Sequence, residues 1–210
     1  MKRAILNGSI RGLKMSHKTR REKLRQRRRL ERFRSYSLWI GIAAIGLVIA
    51  GVLIWPSVTP VVGEAVPVME SSAHVPEGED PGPFNTDPPS SGRHYAADLE
   101  AGFYDENDAQ GYAPFPEGYL VHNLEHGYII FWYNCEWVGE KACSQLKDQV
   151  REAMDKVDDF KVIAFPWTSI DVPVVLTSWG KMQRFENFDV DAAVEFVQAN
   201  RNKAPEPQAP

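Results

Sequence analysis

Four histidines in the acidic part of the chain are the residues best suited to chemistry, because neutral imidazole is the commonest transition-metal ligand near neutral pH. His122 and His126 are spaced i, i+4 within LVHNLEHGY. If residues 119–126 form a turn of helix, both rings lie on one face, where they can chelate one ion. His94 follows a run of prolines whose stiffness limits the entropy lost on ligation, and His74 lies further upstream. We predict that these four side chains bind copper or zinc, with His74 approaching the other three.

The same residues allow interpretations without a metal, or with a catalytic one. A histidine pair at this spacing can also be two exposed surface residues without a ligand, or two packed residues whose rings form hydrogen bonds within the protein. HNLEH matches H-x-x-E-H, a pattern of zinc proteases in which two histidines bind zinc and the glutamate activates water. In that case Glu125 is the base, and Glu186 or Glu195 supplies a third ligand. Because the helical stretch is short and no substrate cleft is visible, we instead expect Glu125 to orient a histidine ring from outside the ligand set, and we expect no enzyme.

Cys135 and Cys143 are the two cysteines of the chain, with seven residues between them. This spacing differs from the C-x-x-C of redox enzymes. If this part of the chain lies outside the cytoplasm, where disulfides persist, the pair is expected to form a structural disulfide that closes a short loop. A copper–thiolate site and free thiols are the alternatives.

The chain around these residues predicts one α+β domain over residues 91–202. Short apolar runs rich in β-branched and aromatic residues indicate buried strands, and apolar residues at helical spacing indicate amphipathic helices. The expected order is β-α-β-β-α, at residues 128–133, 141–157, 160–167, 172–180 and 190–200. Residues 182–188 alternate less cleanly and suggest an edge strand, and Asp189 is expected to cap the last helix. We predict a mixed sheet with helices packed on one face.

The N-terminal part of the chain has the pattern of a membrane anchor. Residues 1–37 contain 14 lysines and arginines against two glutamates, whereas the whole chain has a net charge of -4. The uncharged segment 38–55 is, at about 1.5 Å per residue, roughly 27 Å long, enough for one transmembrane helix. Because basic residues are retained on the cytoplasmic side, we expect a basic cytoplasmic arm, a single pass through a bacterial cell membrane and an extracytoplasmic domain.

Proline-rich segments flank the predicted domain. Eight prolines between residues 56 and 90 disfavour long helices and central strands, so a tether that wraps onto the domain is expected there, and a disordered tail at 203–210. A cleaved signal peptide is an alternative to the anchor, but its basic region would be very long and its apolar run exceeds the usual length. The expected partner of the basic arm is the lipid bilayer and not nucleic acid.

Five motifs in the same order resemble those of an uncharacterised bacterial family, the domain of unknown function 3105. They extend from about residue 74 to residue 200 and include HVPEG (74–78), DPPSSGRHY (87–95), GFYDE (102–106), LVHNLEHGYIIFWY (120–133) and TSWGK (177–181). The resemblance implies an N-terminally anchored membrane or secreted protein. It implies no reaction, because no activity is established for the family.

These features favour a membrane-anchored domain that binds copper or zinc through histidines and serves in metal handling or delivery. The alternative is a metal-free accessory subunit that docks on another membrane or envelope protein through its span and an aromatic surface. A small zinc hydrolase that uses HNLEH is a third interpretation.

Overall fold

The computed structural model describes residues 22, 24, 25, 27, 28, 39–49 and 62–209. The chain separates into two units, Met1–Pro60 and Val61–Pro210. In the first unit the described residues are helical, including 39–49. Among the residues described, no helix is both long enough and apolar enough to cross a membrane. Most of the predicted arm and both ends of the predicted span at 38–55 lie outside the described residues.

Over residues 62–209 the second unit forms six strands and five α-helices. The strands are β1 (Glu64–Ala65), β2 (Gly102–Phe103), β3 (Ile129–Tyr133), β4 (Val162–Pro166), β5 (Val174–Ser178) and β6 (Lys181–Phe185). The helices are α1 (Glu106–Ala109), α2 (Glu117–Glu125), α3 (Cys135–Val138), α4 (Glu140–Asp155) and α5 (Val190–Asn200), with a 3-10 turn at Gln110–Tyr112. The predicted order β-α-β-β-α is confirmed by β3, α4, β4, β5 and α5. Asp189 caps α5 as predicted, because its side chain accepts from the N–H of Ala192.

The six strands form one mixed sheet in the order β1-β6-β5-β3-β4-β2. β4 pairs in parallel with β3 and with β2, and the remaining pairs are antiparallel. The parallel β3–β4 pair needs a long connection, which α4 supplies. The expected mixed sheet is confirmed. The expected edge position of β6 is wrong, because β1 pairs with its outer side through Glu64 and Met182.

Helices cover both faces of the sheet, so the prediction of helices on one face is wrong. One side of β3 presents Ile129 and Phe131 to α4 and α5, whereas the other side presents Ile130 and Trp132 to α2. All five residues of β3 are therefore buried. A strand covered on both faces reads as a continuous apolar run and not as an alternating one. As a consequence α2, which carries His122, packs on the sheet face opposite α4 and α5.

The described part of the predicted tether, residues 62–90, lies against the domain. At one end the side-chain amide of Asn200 donates to Val62 O at 3.2 Å. Near the other end the indole N–H of Trp167 donates to the Asp87 carboxylate at 2.7 Å. These two contacts anchor residues 62 and 87 on the domain, and His74 lies in the segment between them.

The C-terminal residues 201–209, which we name the C-terminal strap, also contact the domain. The backbone N–H of Glu206 donates to Glu125 O at 3.0 Å. The buried ammonium of Lys161 donates to two strap carbonyls at 2.8 and 3.1 Å. The sequence predicted a disordered tail at 203–210, and in the described part of this segment backbone polar groups of residues 206, 207 and 209 have partners on the domain.

Cys135 and Cys143 form the predicted disulfide, with Cα atoms 5.0 Å apart. Cys135 is the first residue of α3, and Cys143 lies in the first turn of α4. The bond therefore ties the exit from β3 to the start of the crossover helix.

Replacing both cysteines by serine is expected to lower the free energy of unfolding by about 2–3 kcal/mol, because the unfolded chain is no longer closed into a short loop. Urea unfolding of the C135S/C143S double variant measures this difference. Unfolding the unaltered chain in the presence of a reductant is the matched control and should give the same loss. Unchanged midpoints in both experiments would contradict a stabilising role for the bond.

Candidate metal centre

Helix α2 places two of the predicted ligands side by side. It begins after Pro116, whose φ of -61° is compatible with a helix start. Gly127 follows its C-cap with a φ of +85°, the left-handed conformation that commonly ends a helix. The rings of His122 and His126 have centroids 4.2 Å apart. The i, i+4 spacing thus brings the two rings together on one side of the helix.

His74 and His94 come from two segments that meet in a parallel β-bridge. The N–H of Val75 donates to His94 O at 2.8 Å, which fixes the two backbones against each other. Gly92 has a φ of +141°, and a Cβ at this position would lie 2.9 Å from the ring of Phe84. Glycine is therefore required for this approach. The bridge leaves the rings of His74 and His94 with centroids 4.9 Å apart.

One ring nitrogen from each of His74, His94 and His122 lies within 4.8 Å of the other two. Nitrogens bound to one tetrahedral zinc ion at about 2.0–2.1 Å are roughly 3.3 Å apart, so modest side-chain rotations would place all three on one ion. His94 is fully buried and His122 is 7% exposed, whereas His74 is exposed. Two rings of the cluster therefore lie in the core, and the cluster is accessible to solvent at His74. This group of three histidines could hold a metal ion.

Backbone carbonyls fix the tautomers of the two buried rings. His94 Nδ1 lies 2.8 Å from Gly92 O, and His122 Nδ1 lies 2.7 Å from Tyr95 O. Because a carbonyl oxygen can only accept, each Nδ1 carries the proton and donates it. In the neutral ring each Nε2 then has a lone pair available to an ion. Metal-binding histidines are usually held in this way, with the second ring nitrogen donating to a carbonyl or carboxylate.

Glu125 places a carboxylate beside this cluster. Its Oε2 is 3.0 Å from His94 Nε2, yet that nitrogen has no hydrogen-bond partner among the described residues. The distance is that of an ion pair, but the oxygen lies off the direction of a ring N–H, so the contact is close without being a hydrogen bond. The contact therefore places the negative charge of a nearly buried carboxylate beside the cluster. A cation at the cluster would be stabilised by that charge.

Burial lowers the pKa of His122, and the hydrogen bond to Tyr95 O opposes this effect in part. The neighbouring rings of His126 and His94 lower the pKa of His122 further. The neutral imidazole is the form that binds a metal. Protons therefore compete with a metal at His122 only in more acidic solution than they would at an exposed histidine.

His126 is not a member of the converging group, although its ring contacts that of His122. The carboxylates considered as third ligands lie elsewhere. Glu195 is on α5, which packs on the opposite face of the sheet from α2. Glu186 follows β6 and lines a cavity beside Trp137. The assignment of Glu186 or Glu195 as a third ligand of a zinc hydrolase is therefore wrong.

Tyr95 is a residue of the site that the sequence did not reveal. Its carbonyl accepts from His122 Nδ1, and its N–H donates to Gly118 O at 2.9 Å. Its side chain is 1% exposed. The tyrosine thus links the bridge segment to α2 through both of its backbone polar groups. Its position directly after His94 is the one signal in the sequence that could have pointed to it.

A second group of potential ligand atoms consists of Glu106, Cys135 and Cys143. The two sulfur atoms are bonded to each other. A thiolate is the form of cysteine that ligates metals, so this group is not a metal site while the disulfide is intact.

The chain matches the family described as Protein of unknown function (DUF3105) over residues 77–210. No curated protein matches the chain significantly, and neither does any solved structure. The matched region contains His94, His122 and Glu125, whereas His74 lies just before it. Because the match covers more than half of the sequence, the chain belongs to the DUF3105 family, whose function is unknown.

Proposed function

We propose that this protein is a membrane-anchored extracytoplasmic domain that binds one copper or zinc ion through His74, His94 and His122. The main support for this proposal is the arrangement of the two buried rings, His94 and His122. In each ring Nδ1 is hydrogen-bonded to a backbone carbonyl, so Nε2 is available to bind a ligand. Leaving a buried polar atom unpaired costs about 1–3 kcal/mol. A bound ion would supply the partner that His94 Nε2 lacks among the described residues.

Glu125 supports a cation at the cluster in preference to a neutral ligand. Its side chain is 9% exposed, and His94 is in contact with it at 3.0 Å. A buried carboxylate is stable only when it is paired with positive charge or well hydrogen-bonded. A divalent ion held by three neutral imidazoles would supply that charge at short range. In this arrangement Glu125 stabilises the ion by its charge from outside the three-nitrogen ligand set, while Gly92 O orients the ring of His94 through Nδ1.

The nitrogen ligands favour zinc or copper, because magnesium and calcium prefer oxygen. Three protein ligands leave a fourth position for water or an incoming group. The exposed ring of His74 puts that position on the solvent side of the cluster. An exchangeable position of this kind suits a protein that accepts an ion and passes it on, so metal handling or delivery is the role that we favour.

Elemental analysis tests the proposal directly. The full-length chain, purified without chelators and dialysed after exposure to zinc or copper, is expected to retain one ion per molecule. Metal at the level of the dialysis buffer would overturn the proposal.

The membrane placement rests on the charge pattern of the sequence, with 14 basic residues before an uncharged segment. A reporter enzyme that is active only outside the cytoplasm, fused to the C-terminus, is expected to be active. The matched control replaces the basic residues of the arm by glutamine and should lose this orientation. Activity of a cytoplasm-specific reporter at the same fusion point would contradict the placement.

A metal-free accessory subunit is the second candidate, and one surface favours it. Trp137 on α3 is 56% exposed, and it adjoins a cavity of about 490 Å³ that Leu146 and Phe188 also line. Exposed tryptophan is enriched at protein interfaces, because its ring is apolar and its N–H can still donate a hydrogen bond. If no metal binds, docking through this surface becomes the favoured function.

A further inference from the structure

His126 is a buried histidine whose ring lacks the partners that the other buried rings have. The residue is 9% exposed, and its Nδ1 has no hydrogen-bond partner in the part of the chain that the structure describes. Its Nε2 lies 3.9 Å from Glu206 Oε2, which is beyond hydrogen-bond reach. A ligand between Nε2 and Glu206 would pair with that edge of the ring, whereas the buried Nδ1 would still have no partner among the described residues.

The C-terminal strap holds Glu206 beside His126. Lys161, which is 7% exposed, donates from one ammonium group to His126 O at 2.9 Å and to Pro207 O and Ala209 O at 3.1 and 2.8 Å. All three protons of that ammonium are thereby used, and the end of α2 is tied to the strap. The carboxylate of Glu206 is thus presented to the imidazole by a fixed backbone.

The two side chains line a second approach from solvent to the three-histidine cluster, apart from the exposed His74. The side chain of Glu206 is 63% exposed, whereas that of His126 is 11% exposed. The ring of His126 has its centroid 4.2 Å from that of His122, which is a member of the cluster. An ion that leaves solvent at Glu206 would meet His126 next and His122 after it.

We propose that His126 and Glu206 form a transit site, where a zinc or copper ion is held briefly on its way to or from the three-histidine centre. An imidazole nitrogen and a carboxylate oxygen 3.9 Å apart can both reach one ion with bonds of about 2 Å. Two protein ligands hold an ion less tightly than three, so the ion passes on to the centre. The inference rests on the proposed function, because a transit site requires a destination.

Stopped-flow kinetics of the full-length chain with zinc, read by a chromophoric chelator, tests the transit site. His126→Gln and Glu206→Gln are each expected to slow both zinc uptake and zinc release by about tenfold, which corresponds to roughly 1.4 kcal/mol of added barrier. The equilibrium Kd should stay unchanged, because a site on the path lowers the barrier equally in both directions. A ligand of the centre would instead change Kd.

Glu195→Gln is the matched control, since Glu195 is an exposed carboxylate on α5, and it should alter neither rate. Because Glu206 is largely exposed, its substitution keeps the test valid even if His126→Gln fails to fold. A weaker Kd with unchanged uptake, or unchanged rates in both variants, would overturn the transit site alone. Absence of zinc binding by the unaltered chain would overturn the proposed function as well.

Discussion

Replacement of His94 and His122 together by alanine is expected to lower the affinity for zinc and copper by at least about 100-fold. Loss of a group that merely orients a ligand costs 10–100-fold, and this double variant removes two of the three converging nitrogens. His74→Ala removes the third from an exposed position, so it should weaken binding by about tenfold or more without disturbing the core. Competition titration against a chelator of known affinity gives each Kd.

His17→Ala is the matched control, because His17 lies in the basic arm, far in sequence from the cluster. It should leave Kd unchanged. Equal affinity in the unaltered chain and in the double variant would mean that the ions bind elsewhere, for example on surface carboxylates. The three-histidine assignment would then be wrong.

Thermal unfolding separates binding to the folded centre from adventitious binding. Zinc at about 100 times its Kd stabilises a folded chain by about 2.7 kcal/mol when the unfolded chain does not bind it. For a domain of this size each kcal/mol raises Tm by about 2–4 °C, so we expect a rise of roughly 5–11 °C for the unaltered protein. The double variant should show none of this rise.

The sequence predicted the long elements of the fold and missed the short ones for a physical reason. α4 and α5 carry enough turns for a helical period to be seen, and β3 is recognisable as a continuous apolar run. β1 and β2 have two residues each, so no period exists to detect, and their pairing depends on distant parts of the chain. Coverage of both sheet faces was visible in the continuous apolar run of β3, but the face on which α2 packs is settled only by tertiary contacts.

The candidate metal centre also has one part that the sequence could predict and one part that it could not. The pair on α2 follows from helical geometry, so the proximity of His122 and His126 could be predicted from their spacing alone. The convergence of His74 and His94 depends on a β-bridge between two irregular segments, which no local pattern encodes. The groups that orient the rings are backbone carbonyls. Every residue has a carbonyl, and for this reason residue types could not identify the ones that matter.

Gly118→Ala is expected to impair the centre without touching a ligand. A Cβ at this position would lie 2.4–2.6 Å from three atoms of the Tyr95 ring, which is 1% exposed and has no room to withdraw. Such overpacking costs about 1–3 kcal/mol, which exceeds the gain of up to about 1 kcal/mol from placing alanine in a helix. Urea or thermal unfolding should therefore show a destabilised protein.

The same substitution should lower zinc affinity by about tenfold or more, because a displaced Tyr95 no longer presents its carbonyl to His122 Nδ1 at 2.7 Å. Gly111→Ala is the matched control: no atom lies within 4 Å of the added Cβ, so stability and affinity should both be retained. Lower stability with unchanged affinity in Gly118→Ala would show that the Tyr95 carbonyl does not orient the ring. If the packing of Tyr95 against Gly118 orients the ring of His122, Gly118→Ala should lose both stability and zinc affinity, whereas Gly111→Ala should keep both.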